Sequence, residues 1–163
     1  MVIRLALLII GCCITFGCSS NPTKNSVSIG IGGENFHLEL VVDDQSRAQG
    51  LMYRTDLGSD EGMLFIFPFA EERSFWMKNC LIDIDLIFLD SRGTVTAVHT
   101  MPLEPPREAN ETIIQYETRL LHYFSNGPAR FAIELSSGSF KRLGVHVNDR
   151  ITLDLPTLKR LAR

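Results

Sequence analysis

The sequence predicts a mainly β domain: a compact antiparallel β-sandwich or partly closed barrel with two short helices. Three observations lead there. Runs such as Phe36-His-Leu-Glu-Leu-Val-Val42 repeat with a period of two, so Phe36, Leu38, Leu40 and Val42 share one face of a half-buried strand. Turn residues separate such runs, notably Gly32-Gly33, Asp90-Ser-Arg-Gly93 and Asn126-Gly-Pro128. Only two stretches carry helical signals, too few for repeated βα crossovers of about a dozen residues each. A sandwich or a partial barrel also protects strand edges from pairing with other chains.

In chain order, the first strand begins near Val27 and turns at Gly32-Gly33 into the strand over 36–42. Asp43 or Asp44 then caps a short helix over 45–53, with Ala48, Leu51 and Met52 as its apolar face and Gly50 as its weak point. Residues 57–62 read as a loop. Residues 63–67 are wholly apolar and predict a strand that Pro68 stops, because proline has no N–H for the ladder. A turn over 69–73 and a second short strand over 74–77 follow. Strands over 84–89 and 95–101 pair around Asp90-Ser-Arg-Gly93. Three prolines stiffen a loop over 102–110. Ile113, Ile114 and Tyr116 suggest a short strand, 117–124 fits helix or strand, and Asn126-Gly-Pro128 reads as a turn. The strand over 129–135 places Phe131, Ile133 and Leu135 on one face. A helix over 137–143 ends at Gly144 in a left-handed position. Residues 151–155 read as the closing strand, and 156–163 as a basic tail that frays.

The length of 163 residues suits one domain, placed over 27–155. Ahead of it, Met1-Val-Ile-Arg4 is a short basic start, the run to Phe16 is apolar, and Gly17-Cys18 leads into Ser-Ser-Asn-Pro22. The run is shorter than the roughly 20 residues of a membrane span and fits an export signal. Cleavage at Gly11–Cys12 would leave only about six apolar residues, below the usual range of roughly 7–15. The expectation is therefore a signal segment over 1–17, lipidation at Cys18, and a polar tether over 18–26. The lipid on Cys18 would anchor an outer-membrane lipoprotein facing the periplasm, with Ser19 after the cysteine favouring onward transport. Cys12 and Cys13 leave with the signal, so Cys80 is the remaining thiol, expected as a small buried apolar residue rather than a nucleophile. Sixteen Lys and Arg against nineteen Asp and Glu give a net charge of −3, which supplies no basic surplus for nucleic acid.

The stretch over 61–90 holds the only tryptophan and half of the ten phenylalanines, yet polar residues interrupt it. Trp76 and Lys78 share a strand face, opposite Phe75 and Met77, if the strand continues. With Asn79 they suggest a floor for a polar ligand such as a sugar or a peptide. The plainer reading buries most of Trp76 in the core while Lys78 reaches outward. Arg47, Arg54, Glu61, Asp83 and Asp85 form a second set. Arg47 and Arg54, seven apart, would lie on one helix flank, either bridging carboxylates or gripping an anion with their planar guanidinium groups. Asp83 and Asp85 face the same side of an extended chain, as an acid pair for glycoside hydrolysis would. His37, His99, His122 and His146 are isolated, and neither a phosphate loop nor a nucleophile turn occurs, so no metal or cofactor is expected.

Several pieces of the chain resemble one family. They are Arg47-Ala-Gln-Gly-Leu-Met-Tyr-Arg54, Glu61-Gly-Met-Leu-Phe-Ile-Phe67, Ser74-Phe-Trp-Met-Lys-Asn79 and Ile84-Asp-Leu-Ile-Phe-Leu-Asp90, with looser matches over 130–134 and 143–149. In this order, over roughly Phe36 to Leu155, they resemble the domain of unknown function DUF192. The resemblance implies a compact β-sandwich or barrel, often exported, and no established reaction. Two departures stand out: Cys80 where the family usually has threonine, and Asp83-Ile84 where it usually has proline and leucine.

The expected role is a non-catalytic binding or accessory domain at the cell envelope, taking an envelope glycan or peptide through Arg47, Arg54, Trp76, Lys78, Asn79 and Asp85. The alternatives are a hydrolase using Asp83 and Asp85, or a polar cluster that only stabilises the fold. The N-terminal expectation is checked directly. Mass spectrometry of the mature chain should give an acylated start at Cys18, and an unmodified start elsewhere would reject it.

Overall fold

The computed structural model describes residues 25–162. Signal segment, Cys18 and most of the tether lie outside the described residues. The chain runs β1 (Ser26–Ile31), β2 (Glu34–Val41), α1 (Asp44–Gln49), β3 (Glu61–Phe75), β4 (Ile84–Leu89), β5 (Val95–Met101), α2 (Ile113–Arg119), β6 (Tyr123–Ser136), α3 (Ser139–Leu143) and α4 (Leu155–Leu161). The six strands form one sheet in the order β1-β2-β3-β6-β4-β5. The mainly β class is the one the sequence indicates. In detail the sheet is mixed, since β2 and β3 run parallel while every other neighbouring pair is antiparallel. The connection between β2 and β3 carries α1 and is long enough for a parallel crossover. The sheet stays open, with β1 and β5 at its edges.

Alternation along the central strands sends side chains to both faces. Leu64, Ile66, Ile87, Leu89, Ile133 and Leu135 pack on one face, under Leu143, Val145, Ile151 and Leu158. Met63, Phe65, Phe67, Leu86, Phe88 and Ala132 pack on the other, with Leu51 and Met77. This two-sided burial explains why all six residues of β4 are buried. Each large side chain so buried contributes roughly 1.5–3 kcal/mol.

Several elements differ from their sequence-based expectations, each for a local reason. Pro68 does not end a strand, because β3 continues to Phe75. The register shifts between Ile66 and Glu71, so Pro68 lies in a bulge where no ladder donor is needed. Gly127-Pro128 likewise sits inside β6 rather than between elements. The turn character survives as a positive φ of 50° at Asn126 beside a second register shift. Residues 113–116 open α2, not a strand, because Thr112 and Gln115 form a reciprocal capping box. The closing strand expected over 151–155 does not form: the residue before it, Arg150, makes a single bridge to Thr94, and Leu155 opens α4. The expected fraying tail is α4, capped by Asp154, opened by proline and pinned by buried Leu158. The described residues therefore hold four short helices where two were expected.

Other local rules hold. Gly32 and Gly33, at φ 58° and 87°, make the two-residue β1–β2 turn whose twist suits paired strands. Asp43, rather than Asp44, caps α1 in a capping box with Ser46. Gly62, on β3 opposite Leu135 of β6, has no room for a side chain. A Cβ there would lie 2.3 Å from the Glu134 carbonyl oxygen and 2.8 Å from Leu135 Cδ2. Gly62→Ala should therefore destabilise the domain by about 1–3 kcal/mol, the usual cost of overpacking. Urea denaturation measures it, and an unchanged midpoint would show that the β3–β6 pairing yields without cost.

Candidate functional site

The β2–β3 pairing ends at Val41 and Phe65, while β3 runs on for ten more residues with β6 as its only strand partner. Beside this arm stands α1, followed by Gly50 and Leu51. A cleft of about 700 Å³ opens between them. Its walls carry Arg47, Phe67, Arg73, Trp76 and Lys78, and its floor carries Cys80 and Glu134.

Each wall residue is positioned by a distinct contact. Arg47 Nη1 donates to the Ile66 carbonyl at 2.8 Å, tying α1 to β3, while Nη2 pairs with Asp44 at 2.8 Å. The Arg73 guanidinium lies 4.1 Å from the centre of the Phe67 ring and pairs with Glu71 at 2.6 Å. Lys78 places its ammonium 5.4 Å from the Trp76 ring centre and pairs with Glu117 of α2. Trp76 is half-buried, where the sequence suggested a mostly buried ring, because it forms a cleft wall beside His122, 5.4 Å away.

Glu134 is the residue that sequence reasoning missed. It sits on central strand β6, opposite Met63 of β3 and Leu86 of β4, and only 5 % of it is exposed. Its Oε2 is buried without a hydrogen-bond partner. Burial pushes the carboxyl up to about 8, against the opposing pull of Arg54. Burial first, then the nearby Glu134 charge, pushes the Cys80 thiol up to about 12. At neutral pH the floor thus presents a carboxylic acid and a thiol, both uncharged. The available signal was an acid alternating with Ile133 and Leu135 in an otherwise apolar strand.

The other expected site residues are placed elsewhere. Arg54 lies beyond the end of α1, not on a flank shared with Arg47, because the helix stops at Gly50. Its guanidinium grips Glu39 at 2.6 and 2.7 Å. Asn79, at φ 53°, donates its backbone N–H to the Tyr116 hydroxyl at 2.9 Å and its side-chain amide to the Tyr53 hydroxyl at 2.8 Å. It clamps the chain after α1 to α2. Asp85 is fully buried on the opposite face of the sheet. There it accepts from Thr100 Oγ1 and from the Phe140 N–H, both at 3.0 Å. It serves the N-terminus of α3, whose cap position, Gly138, has no side chain to do so. Burial raises its pKa, and these hydrogen bonds oppose the rise. Asp83 is exposed and accepts from the Leu103 N–H at 2.7 Å. Glu61 turns back to the Gly58 N–H. Arg47, Trp76 and Lys78 thus share one cleft, and Arg54, Asn79, Asp83 and Asp85 do not line it.

A family model, DUF192, described as "Uncharacterized ACR", matches residues 27–153. Among solved structures, a "putative transcription regulator" from Sinorhizobium meliloti is 33% identical, with a TM-score of 0.61 over 77% of this chain and 88% of that one. A protein of unknown function from Novosphingobium aromaticivorans is 28% identical, with a TM-score of 0.60 over 78% of this chain and 83% of that one. No curated protein matches.

The Glu134 carboxyl has a stability consequence. Its folded pKa, about 8, lies above the ordinary 4.5, so the folded state holds a proton that the unfolded chain releases. The stability it contributes is full below about pH 4.5 and is lost as pH rises to about 8. Glu134→Gln should flatten this decline in denaturation midpoints measured across that window. An unchanged slope would place the proton on another group.

Proposed function

The chain belongs to the DUF192 family, a family of uncharacterized proteins, and from that premise we propose that it is a non-catalytic binding domain whose cleft takes an uncharged envelope glycan. The carrying observation is that the cations of the cleft are already paired within the chain. Arg47 has Asp44, Arg73 has Glu71, and Lys78 has Glu117. Such a cleft offers an anion little net attraction. It offers aromatic surface, from half-buried Trp76 in the wall and from Phe69, which is 72 % exposed at the margin. Sugar rings stack their apolar C–H faces on such rings, while their hydroxyls reach polar groups at the walls.

In this reading Arg54, Asn79 and Asp85 hold the fold, and Arg47, Trp76 and Lys78 form the recognition surface. A hydrolase working through Asp83 and Asp85 has less support, since one acid is exposed beside Leu103 and the other is enclosed beneath α3. The lipid anchor on Cys18 and a periplasmic position at the outer membrane belong to the same proposal. They would hold the cleft beside its glycan, as the basic, apolar and Gly-Cys order of the N-terminus suggests.

Calorimetric titration of the full chain in detergent with chitotriose, a soluble N-acetylated sugar trimer, tests the proposal. Wild type should bind. Trp76→Ala should weaken binding roughly tenfold, equivalent to about 1.4 kcal/mol. Asp85→Asn should lower the melting temperature and leave the affinity of the folded protein unchanged. Absence of binding by wild type, or equal binding by Trp76→Ala, would overturn the proposal.

A further inference from the structure

We infer that Glu134 is the recognition residue at the floor of the cleft, where its carboxylic acid donates a hydrogen bond to an acceptor oxygen of an uncharged sugar. The inference rests on the glycan-binding reading above and names the group that would make it selective.

Geometry carries it. Glu134 Oε2 lacks a hydrogen-bond partner although the residue is 95 % enclosed and lines an open cleft. Buried side chains rarely leave a polar atom unpaired, and doing so costs about 1–3 kcal/mol. A ligand oxygen entering from the cleft would satisfy it once the carboxyl turns toward the opening. Gly50 leaves the space beside the carboxyl free of any side chain. A Cβ there would stand 3.4 Å from the Phe65 ring and 3.5 Å from Oε2.

The neighbours decide which form of the acid is present. From β3 and β4 the residues opposite Glu134 are Met63 and Leu86, which carry no charge. The connection between β3 and β4 contributes the Cys80 thiol, held neutral. The chain after α1 contributes Arg54, which favours the carboxylate but is itself engaged by Glu39. The cleft cations Arg47, Arg73 and Lys78 hold their own acids. Without a dedicated counter-ion, burial prevails and Glu134 keeps its proton up to about pH 8. A protonated carboxyl has one O–H to donate, which suits the carbonyl oxygen of an acetamido group, an acceptor with no hydrogen of its own. Above that pH the donor is lost, and the carboxylate would face the ligand oxygen with lone pairs only.

The single tryptophan, Trp76, lies in the cleft wall, so its emission reports occupancy. Fluorescence titration of the full chain with chitotriose is run from about pH 6 to about pH 9.5. Wild-type affinity should stay level to about pH 8 and then fall, approaching tenfold per pH unit. Glu134→Gln, which keeps shape and a donor, should bind within a few-fold of wild type and lose the decline. Glu134→Leu should weaken binding about tenfold or more. Thermal melts check that each variant is folded, and Glu134→Gln alone decides if Glu134→Leu is not. Wild-type affinity level up to about pH 9.5, or a decline retained in Glu134→Gln, overturns the role of Glu134 and leaves the glycan reading standing. Absence of wild-type binding at about pH 6 overturns both.

Discussion

The pairing of β3 with β6 is the constraint on which the rest depends. These are the two longest strands, of fifteen and fourteen residues, and they lie at the centre of the sheet. β2 attaches to the outer side of β3, and β4 to the outer side of β6. Their common register also sets both faces. Because side chains alternate, a slip of one residue would exchange Leu64 and Ile66 with Met63 and Phe65. Gly62 supports this register, since a side chain there would strike the Glu134 carbonyl. Beyond it, the same two strands outrun their neighbours, and the projecting arm becomes a wall of the cleft. Scaffold and candidate site are thus two stretches of one ladder.

Two buried acids on opposite faces show how differently one sheet can treat a carboxyl. Asp85 is surrounded by donors: a hydroxyl from β5 and a backbone N–H from α3. It substitutes for the side chain that Gly138 lacks and thereby joins a helix to the sheet. Glu134 has central-strand burial without such donors. The first is explained by the fold it completes. The second keeps one oxygen unpaired, and nothing in the fold accounts for it.

Much of the fold was legible because period-two patterning is a local property. β2, β4 and β5 fall close to where their alternating or wholly apolar runs lie. Proline and glycine misled where they act inside bulges, since a bulge and a turn use the same residues and differ only in what the flanking chain pairs with. α4 was obscured because Leu158 reads as part of a basic tail until its packing partner, a distant strand, is known. The candidate site was legible in part. Trp76 and Lys78 stand out as polar or amphipathic residues in an apolar stretch. The partition of Arg47 from Arg54 depends on where a helix of six residues ends, and the separation of Asp85 from the cleft depends on which face of β4 packs with Leu51. Glu134 required knowing that β6 is central, since an alternating acid on an edge strand would be solvated and ordinary.

The anchoring of α1 sets the kinetic character of the cleft. The helix is short and contributes no buried residue of its own. Its long-range tie through Arg47 to the Ile66 carbonyl is a side-chain bond, and Leu51 seats itself in the core only after the helix has ended. Displacing α1 leaves the backbone ladder of all six strands unbroken. The α1 side of the cleft and the ladder therefore belong to different cooperative units, and this side can open locally at far less cost than global unfolding.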